Sequence, residues 1–124
     1  MNGYNKIVGN IGEEIAANYL KQRKYKIIER NYVAGKGEID IIALYKKVTV
    51  FVEVKTRQNE KYGAPSEAVN FKKRRKLIET ATRYICEKNP ETAYRFDVIE
   101  VYLKKSVFGY QAKINHIENA FGEF

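Results

Sequence analysis

The sequence predicts an α/β (α+β) fold, a central mixed β-sheet flanked by helices in the order α-β-β-β-α-β-β. Three observations predict it. Ile11, Ile15, Ala16, Tyr19 and Leu20 recur at helical spacing near the start. Two strongly strand-forming runs, EIDIIALY (38–45) and VTVFVEVKT (48–56), are separated only by Lys46-Lys47. A second helical stretch then precedes two further strand-like runs. With 124 residues the chain fits one domain. A domain of that size buries well over half of its unfolded surface and needs no disulfide or metal to fold.

The first helix is expected over about Asn10 to Lys24, with Asn10 as N-cap and Glu13 at the third helical position. A strand follows from Tyr25 to Val33, centred on Ile27 and Ile28, and Gly35 and Gly37 mark a turn. Glu38 to Tyr45 and Val48 to Thr56 form a hairpin, and Gln58 to Pro65 is a loop. The second helix begins at Ser66 or Asn70 and runs to Glu87, with Leu77, Ala81, Tyr84 and Ile85 on one face. Asn89-Pro90 ends it. Phe96 to Leu103 and Tyr110 to Ile117 complete the sheet.

Composition excludes several classes of function. One cysteine, Cys86, and one histidine, His116, exclude an internal disulfide and a Cys/His zinc site within one chain. His116 lies in a polar stretch near the end, which argues against a Ser-His-Asp or Cys-His catalyst and for structural roles for both residues. Any metal is therefore expected to sit on carboxylates, which suits Mg²⁺ or Mn²⁺. No apolar run of about 18 residues appears, so no membrane-crossing helix is expected. Met1 to Gly12 lacks a signal-peptide pattern, and the cytoplasm is the expected compartment.

The formal net charge is +8. It is concentrated: residues 1–45 carry +2, residues 46–76 carry +7 and residues 77–124 carry −1. A local field of that sign favours polyanions, of which nucleic acid is the commonest, over a membrane surface. A solvated basic surface without a specific partner is the bland alternative.

The hairpin carries the chemistry. With Lys46-Lys47 as a two-residue turn, Tyr45 pairs with Val48, Ala43 with Val50 and Ile41 with Val52, so the apolar faces match. Ile39, Ile41 and Ala43 then share one face. The same register sets Asp40 against Glu53 and Glu38 against Lys55. Two carboxylates about 4.5–5.5 Å apart at Cβ repel each other unless a proton or cation intervenes, and a divalent metal answers that need. Lys55 beside them is placed to hold a water or a developing negative charge. A salt-bridge ladder of Glu38, Asp40, Glu53 and Lys55 explains the same residues without catalysis, although Ile42 and Phe51 on that face argue against full solvation.

At these residues the sequence resembles a known family. Asp40, followed thirteen positions later by Glu53-Val54-Lys55, looks like the D…ExK signature of the PD-(D/E)XK nuclease superfamily. Gly9-x-x-Gly12-Glu13-x-x-Ala16-x-x-Tyr19-Leu20, Arg30-Asn31, Gly37-Glu38-Ile39-Asp40, Phe51 to Arg57, Lys73, Lys76 and Arg95-Phe96-Asp97-Val98 resemble the YraN-like family of small bacterial proteins over nearly the whole chain. The superfamily's nominal proline before the aspartate is Ile39 here.

The resemblance implies one restriction endonuclease-like nuclease domain over residues 1–124 that hydrolyses DNA phosphodiester bonds with Mg²⁺ or Mn²⁺. It implies Asp40, Glu53 and the backbone carbonyl of Val54 as metal ligands, Glu13 as an additional acid near the metal, and Lys55 as the group that orients water. Glu13 also suits a capping box with Asn10. It sits nearer the apolar stripe than Glu14. For phosphate contacts, Arg57 stands just past Lys55, after Thr56. Within Lys72-Lys73-Arg74-Arg75-Lys76, Lys73 and Lys76 lie one turn apart. Five such residues go most of the way round a helix, so a solvated helix start is the alternative for the run. The ten tyrosines suit base stacking or the core.

A Holliday-junction-resolvase-like role would require a homodimer. The rival function is a non-catalytic nucleic-acid-binding module working with a protein partner. A weaker rival is an RNA-binding or ribosome-associated protein.

Overall fold

The computed structural model describes residues 3–58 and 70–121. Its elements are α1 (Gly3–Gln22), β1 (Lys26–Ala34), β2 (Gly37–Tyr45), β3 (Val48–Arg57), α2 (Phe71–Lys88), β4 (Ala93–Ser106) and β5 (Gly109–Phe121). This is the expected order. The five strands form one sheet in the order β1-β2-β3-β4-β5. Only β3 and β4 run parallel; the other neighbours are antiparallel. A parallel pair needs a crossover, and the chain through α2 supplies it. Most of the expected loop Gln58 to Pro65, and the alternative helix start at Ser66, lie outside the described residues.

Strand alternation divides the core into two layers. Val50, Val52 and Val54 of β3 pack with Val8, Ala16, Ala17 and Leu20 of α1. Phe51 points the other way, into a layer with Leu77, Ala81 and Tyr84 of α2. The valine face expected from the sequence is thus the face that α1 covers. No described helix is long and apolar enough to cross a membrane.

Two expectations are corrected. The first helix begins at Gly3 rather than Asn10, so Asn10 lies inside it and does not cap it. The reason is Val8, which is only 6% exposed and extends the buried stripe a turn upstream. The capping-box role for Glu13 therefore falls away. At the other end, Tyr25 N–H donates to Leu20 C=O at 2.9 Å and Lys24 N–H to Lys21 C=O at 3.0 Å. With Lys24 at φ 70°, these bonds form a Schellman stop.

The second correction concerns the hairpin. The register is as expected from Tyr45↔Val48 to Ile41↔Val52, where this ladder ends. Neither Asp40–Glu53 nor Glu38–Lys55 is a ladder pair, and Glu38 pairs instead with Val33 of β1. The Asp40 side chain replaces the next rung: its Oδ2 accepts from Val54 N–H at 2.8 Å. Beside this point Ile39 turns into the α2 layer while Ile41 stays in the α1 layer, so the two do not share a face.

Lys46 and Lys47 have φ 47° and 65°, the positive pair that a type I′ turn requires. Lysine carries a Cβ penalty at both positions. Replacing the turn by Asn-Gly (Lys46→Asn with Lys47→Gly) is expected to raise stability by about 1 kcal/mol in urea unfolding. An unchanged or lower midpoint would contradict the turn assignment.

Candidate active site

Alternation on β3 puts Glu53 and Lys55 on the same face as Phe51, toward α2. The Glu53 side chain is 8% exposed, and Lys55 Nζ lies 3.6 Å from its Oε1. The N-cap of α2 supplies the next group. Asn70 Oδ1 accepts from Lys73 N–H at 2.9 Å, which fixes the first turn. From that turn Lys73 Nζ reaches Glu53 Oε1 at 2.8 Å. Two ammonium groups therefore share one carboxylate oxygen. The basic run divides as its length requires: Arg74 lies over the Phe121 ring at 5.5 Å, while Lys73 turns to Glu53.

From the other layer α1 contributes Glu13. A Cβ on Gly12 would collide with Thr56 Oγ1 of β3, so glycine lets α1 approach β3 this closely. That approach brings Glu13 to a cavity of about 550 Å³ that Asp40, Glu53, Val54, Lys55, Arg57 and Lys73 also line. An adjoining cavity of about 260 Å³ shares Asp40, Glu53 and Lys73 and adds Glu38 and Lys76. All eight residues singled out in the sequence thus border one trough. Lys73 sits against an acid within it rather than on the open surface. Glu14 points away to Arg30, 2.9 Å distant.

Asn31 is a member that sequence reasoning did not single out. With its amide oriented as two acceptors require, Nδ2 donates to Glu38 Oε1 and to Glu13 Oε1, each at 3.0 Å. The residue stands at φ 53° within β1, a conformation asparagine tolerates better than most. It ties Glu38, expected opposite Lys55, to Glu13. Its presence in the Arg30-Asn31 pair was the available signal.

Mutual repulsion marks the trough. The Asp40 carboxyl is pushed up to about 7, first by burial and then by the Glu53 carboxylate, against the bond from Val54 N–H. Burial also raises Glu13, helped by Glu38 and Glu53 and opposed by Arg30. Lys55 is lowered from the usual lysine value, by burial first and by Lys73 beside it. Burial works against the Lys73 ammonium too, but the Glu53 carboxylate overrides it and holds its pKa above the ordinary value.

The donors are hard carboxylate and carbonyl oxygens, which fit Mg²⁺ or Mn²⁺. Among the described residues no three His, Cys, Asp or Glu side chains converge as a group able to hold a metal ion. An ion here would rest on one or two carboxylates and complete its shell with water and phosphate, a pattern usual for Mg²⁺.

Arg95 and Asp97 lie on the α1 side and do not join the trough. Asp97 is fully buried, and His116 Nε2 approaches its Oδ2 at 2.7 Å. Arg95 Nε donates to its Oδ1 at 3.0 Å, as does Asn119 N–H at 3.0 Å. Burial opposes the charge of Asp97, but these three donors hold its pKa below the usual carboxylate range. His116 Nδ1 lies 3.1 Å from Tyr19 Oη, so both ring nitrogens of the histidine have partners within the fold.

The family model described as "Uncharacterised protein family UPF0102" matches residues 12–101. A UPF0102 protein of Caldanaerobacter subterraneus subsp. tengcongensis is 51% identical over 117 residues, covering 94% of this chain and 95% of that one. One from Clostridioides difficile is 51% identical over 118 residues, covering 94% and 98%. One from Alkaliphilus oremlandii is 46% identical over 120 residues, covering 94% and 99%.

Gly12→Ala is expected to push α1 off Thr56 and lower stability by about 1–3 kcal/mol, with part regained in Gly12→Ala/Thr56→Ala. Urea unfolding of the two variants checks this, and additive losses would refute the contact. Asp40→Asn tests the repulsion in chelator. A carboxyl raised to about 7 keeps its proton in the folded chain between its ordinary 3.8 and that value. The folded state then binds more protons than the unfolded one, so wild-type stability falls as pH rises through that window. The melting temperature of Asp40→Asn relative to wild type should therefore climb from pH 4 to pH 8; a flat difference would refute the shift.

Proposed function

The chain belongs to the uncharacterised protein family UPF0102, and from its site we propose that it is a divalent-metal-dependent nuclease acting on DNA phosphodiester bonds. One observation carries the reading. Glu13, Asp40, Glu53 and Lys55 meet at a single cavity whose other charged lining is Arg57 and Lys73. Acid donors for a hard cation and cations for a phosphate chain occur there together, on a face of a +8 chain.

The roles follow from the surroundings of each group. Asp40 and Glu53 would hold Mg²⁺ or Mn²⁺, with the Val54 carbonyl and Glu13 available beside them. A bound ion of this kind supplies Lewis acidity and neutralises charge on the phosphoryl oxygens. The bond from Val54 N–H orients the Asp40 carboxylate before any substrate arrives. Asn31 fixes Glu13 in the same way. Lys55 would orient the attacking water at Nζ, and burial with Lys73 beside it lowers its pKa, so it holds its own proton less firmly than an ordinary lysine. Arg57 and Lys76 flank the trough as phosphate contacts, and Lys73 compensates charge at Glu53.

A second reading has its own support. The Glu53 carboxylate is already neutralised by Lys55 and Lys73, which is what a structural ion cluster needs. On that reading the chain is a non-catalytic nucleic-acid-binding module that works with a protein partner.

Cleavage of duplex, single-stranded, flap and four-way-junction DNA and of structured RNA, with Mg²⁺, Mn²⁺ or chelator, separates the two. The nuclease reading expects metal-dependent cutting that falls at least 100-fold in Asp40→Ala and Lys55→Ala, with binding in chelator largely kept. It also expects Mg²⁺ to raise the wild-type melting temperature and not that of Asp40→Ala. Binding without cutting by any of the three proteins would favour the module.

A further inference from the structure

The β4–β5 hairpin ends in a turn of unusual composition. The ladder is paired out to Ser106↔Gly109, so Val107 and Phe108 are the two turn residues. They are 93% and 97% exposed. The turn itself asks for neither. Ser106 Oγ accepts from Phe108 N–H at 3.3 Å and donates to Gly109 C=O at 3.3 Å, and Gly109 takes the positive φ of 111°. Polar residues normally fill such positions. Here a valine and a phenylalanine are held in solvent by a scaffold that gains nothing from burying them.

The position of this tip matters. β3 and β4 are parallel, and Arg57 at the end of β3 pairs with Tyr102. Glu53, Val54 and Lys55 therefore lie at the same end of the sheet from which β4 continues toward its turn. At about 3.3 Å per residue, the tip stands roughly 15 Å beyond the level of Arg57. The arm behind it is basic: between Tyr102 and Ile117 the sequence carries Lys104, Lys105 and Lys113 and no acidic residue. Tyr110, paired with Lys105, is also partly exposed. Cations along the arm and an aromatic ring at its end match a polyanion that carries stacked bases.

We propose that Val107 and Phe108 form an apolar wedge that enters an opened base step of DNA held at the neighbouring trough, which makes forked or branched DNA the substrate class. The inference rests on the nuclease reading for the location of the DNA. Entering an intact duplex costs unstacking energy, and that cost is least where the stack is already broken. The wedge therefore selects discontinuities, while the lysines behind it bind backbone without regard to sequence. Because both side chains are almost wholly exposed, replacing them leaves the fold unchanged.

The test compares wild type, Phe108→Ala and Phe108→Tyr in chelator, where no cleavage intervenes. Fluorescence anisotropy reads binding to a forked DNA, a duplex of matched length and its single strand. A 2-aminopurine at the fork reports unstacking. The expected result is a fluorescence rise with wild type and Phe108→Tyr that is absent with Phe108→Ala. Fork affinity of Phe108→Ala should fall by about five- to a hundredfold, the range one base–aromatic stack provides. Its duplex affinity should stay within about twofold, because backbone contacts dominate there.

Equal fork affinity of wild type and Phe108→Ala would overturn the proposal. So would an equal loss on intact duplex. Two further arms test other occupants of the tip: sedimentation with phosphatidylserine/phosphatidylcholine vesicles, and light scattering for self-association. Loss of either in Phe108→Ala, with fork binding unchanged, would overturn the wedge in favour of a membrane or a second copy. DNA binding without a 2-aminopurine response removes the wedge alone. No DNA binding by wild type removes the nucleic-acid reading with it.

Discussion

The hydrogen bond from Val54 N–H to Asp40 Oδ2 is the contact on which the site depends. It replaces a rung of the β2–β3 ladder with a side chain, and the ladder stops there. Asp40 and Glu53 fall just beyond the end of that ladder, and both line the cavity that Glu13 and Lys55 also border. The same bond ties the carboxylate to the β3 backbone one residue beyond Glu53, its expected partner.

The trough is costly to build, and the surrounding structure shows how the cost is met. Buried carboxylates in close company destabilise each other, as the upward shifts of Asp40 and Glu13 record. Lys55 and Lys73 offset part of this at Glu53, and Asn31 takes up Glu13 and Glu38. Each compensating group comes from a different element: β3, the first turn of α2, and β1. Rigidity comes from the opposite layer, where the Asp97 carboxylate gathers Arg95, His116 and the Asn119 amide. Arg95 Nη2 also donates to Tyr25 Oη at 2.6 Å, and Tyr25 stacks on Tyr45 at 4.1 Å. On the α1 side the buried Asp97 carboxylate is fully partnered, and its network joins Tyr19 of α1 to the sheet through His116. The other layer crowds its acids, so that Asp40 and Glu13 hold their protons more firmly than ordinary carboxyls.

Much of this was legible in the sequence wherever periodicity controls the outcome. Alternation across Val48 to Val54 and a two-residue turn were enough to set the hairpin register through Ile41↔Val52. Asn70 was legible as one of two helix starts because capping chemistry is local. Failures occur where a side chain competes with the backbone. Asp40 captures Val54 N–H, and no periodic pattern encodes that exchange, so the Asp40–Glu53 and Glu38–Lys55 pairs were expected and do not form. Asn10 looked like a cap because polar caps are common, but burial of Val8 carries the helix past it. Preferring Glu13 to Glu14 needed only helix geometry. The Arg30-Asn31 pair was visible in the sequence, but the placing of Asn31 against Glu13 and Glu38 is a tertiary fact.

Topology explains why such a site sits where it does. In this sheet only β3 and β4 are parallel, so the end of β3 cannot be capped by a hairpin and must be left by a crossover. The crossover delivers α2 with its N-terminal end toward Glu53, and the Asn70 cap holds Lys73 in the first turn. A helix start of this kind presents both side-chain cations and free backbone N–H groups, the combination that suits phosphate. From the other side the Gly12–Thr56 approach brings α1 and Glu13 to the same strand end. Acids therefore come from α1, β2 and β3, and cations from β3 and α2. These elements meet where the β2–β3 ladder stops and the crossover to α2 leaves the sheet.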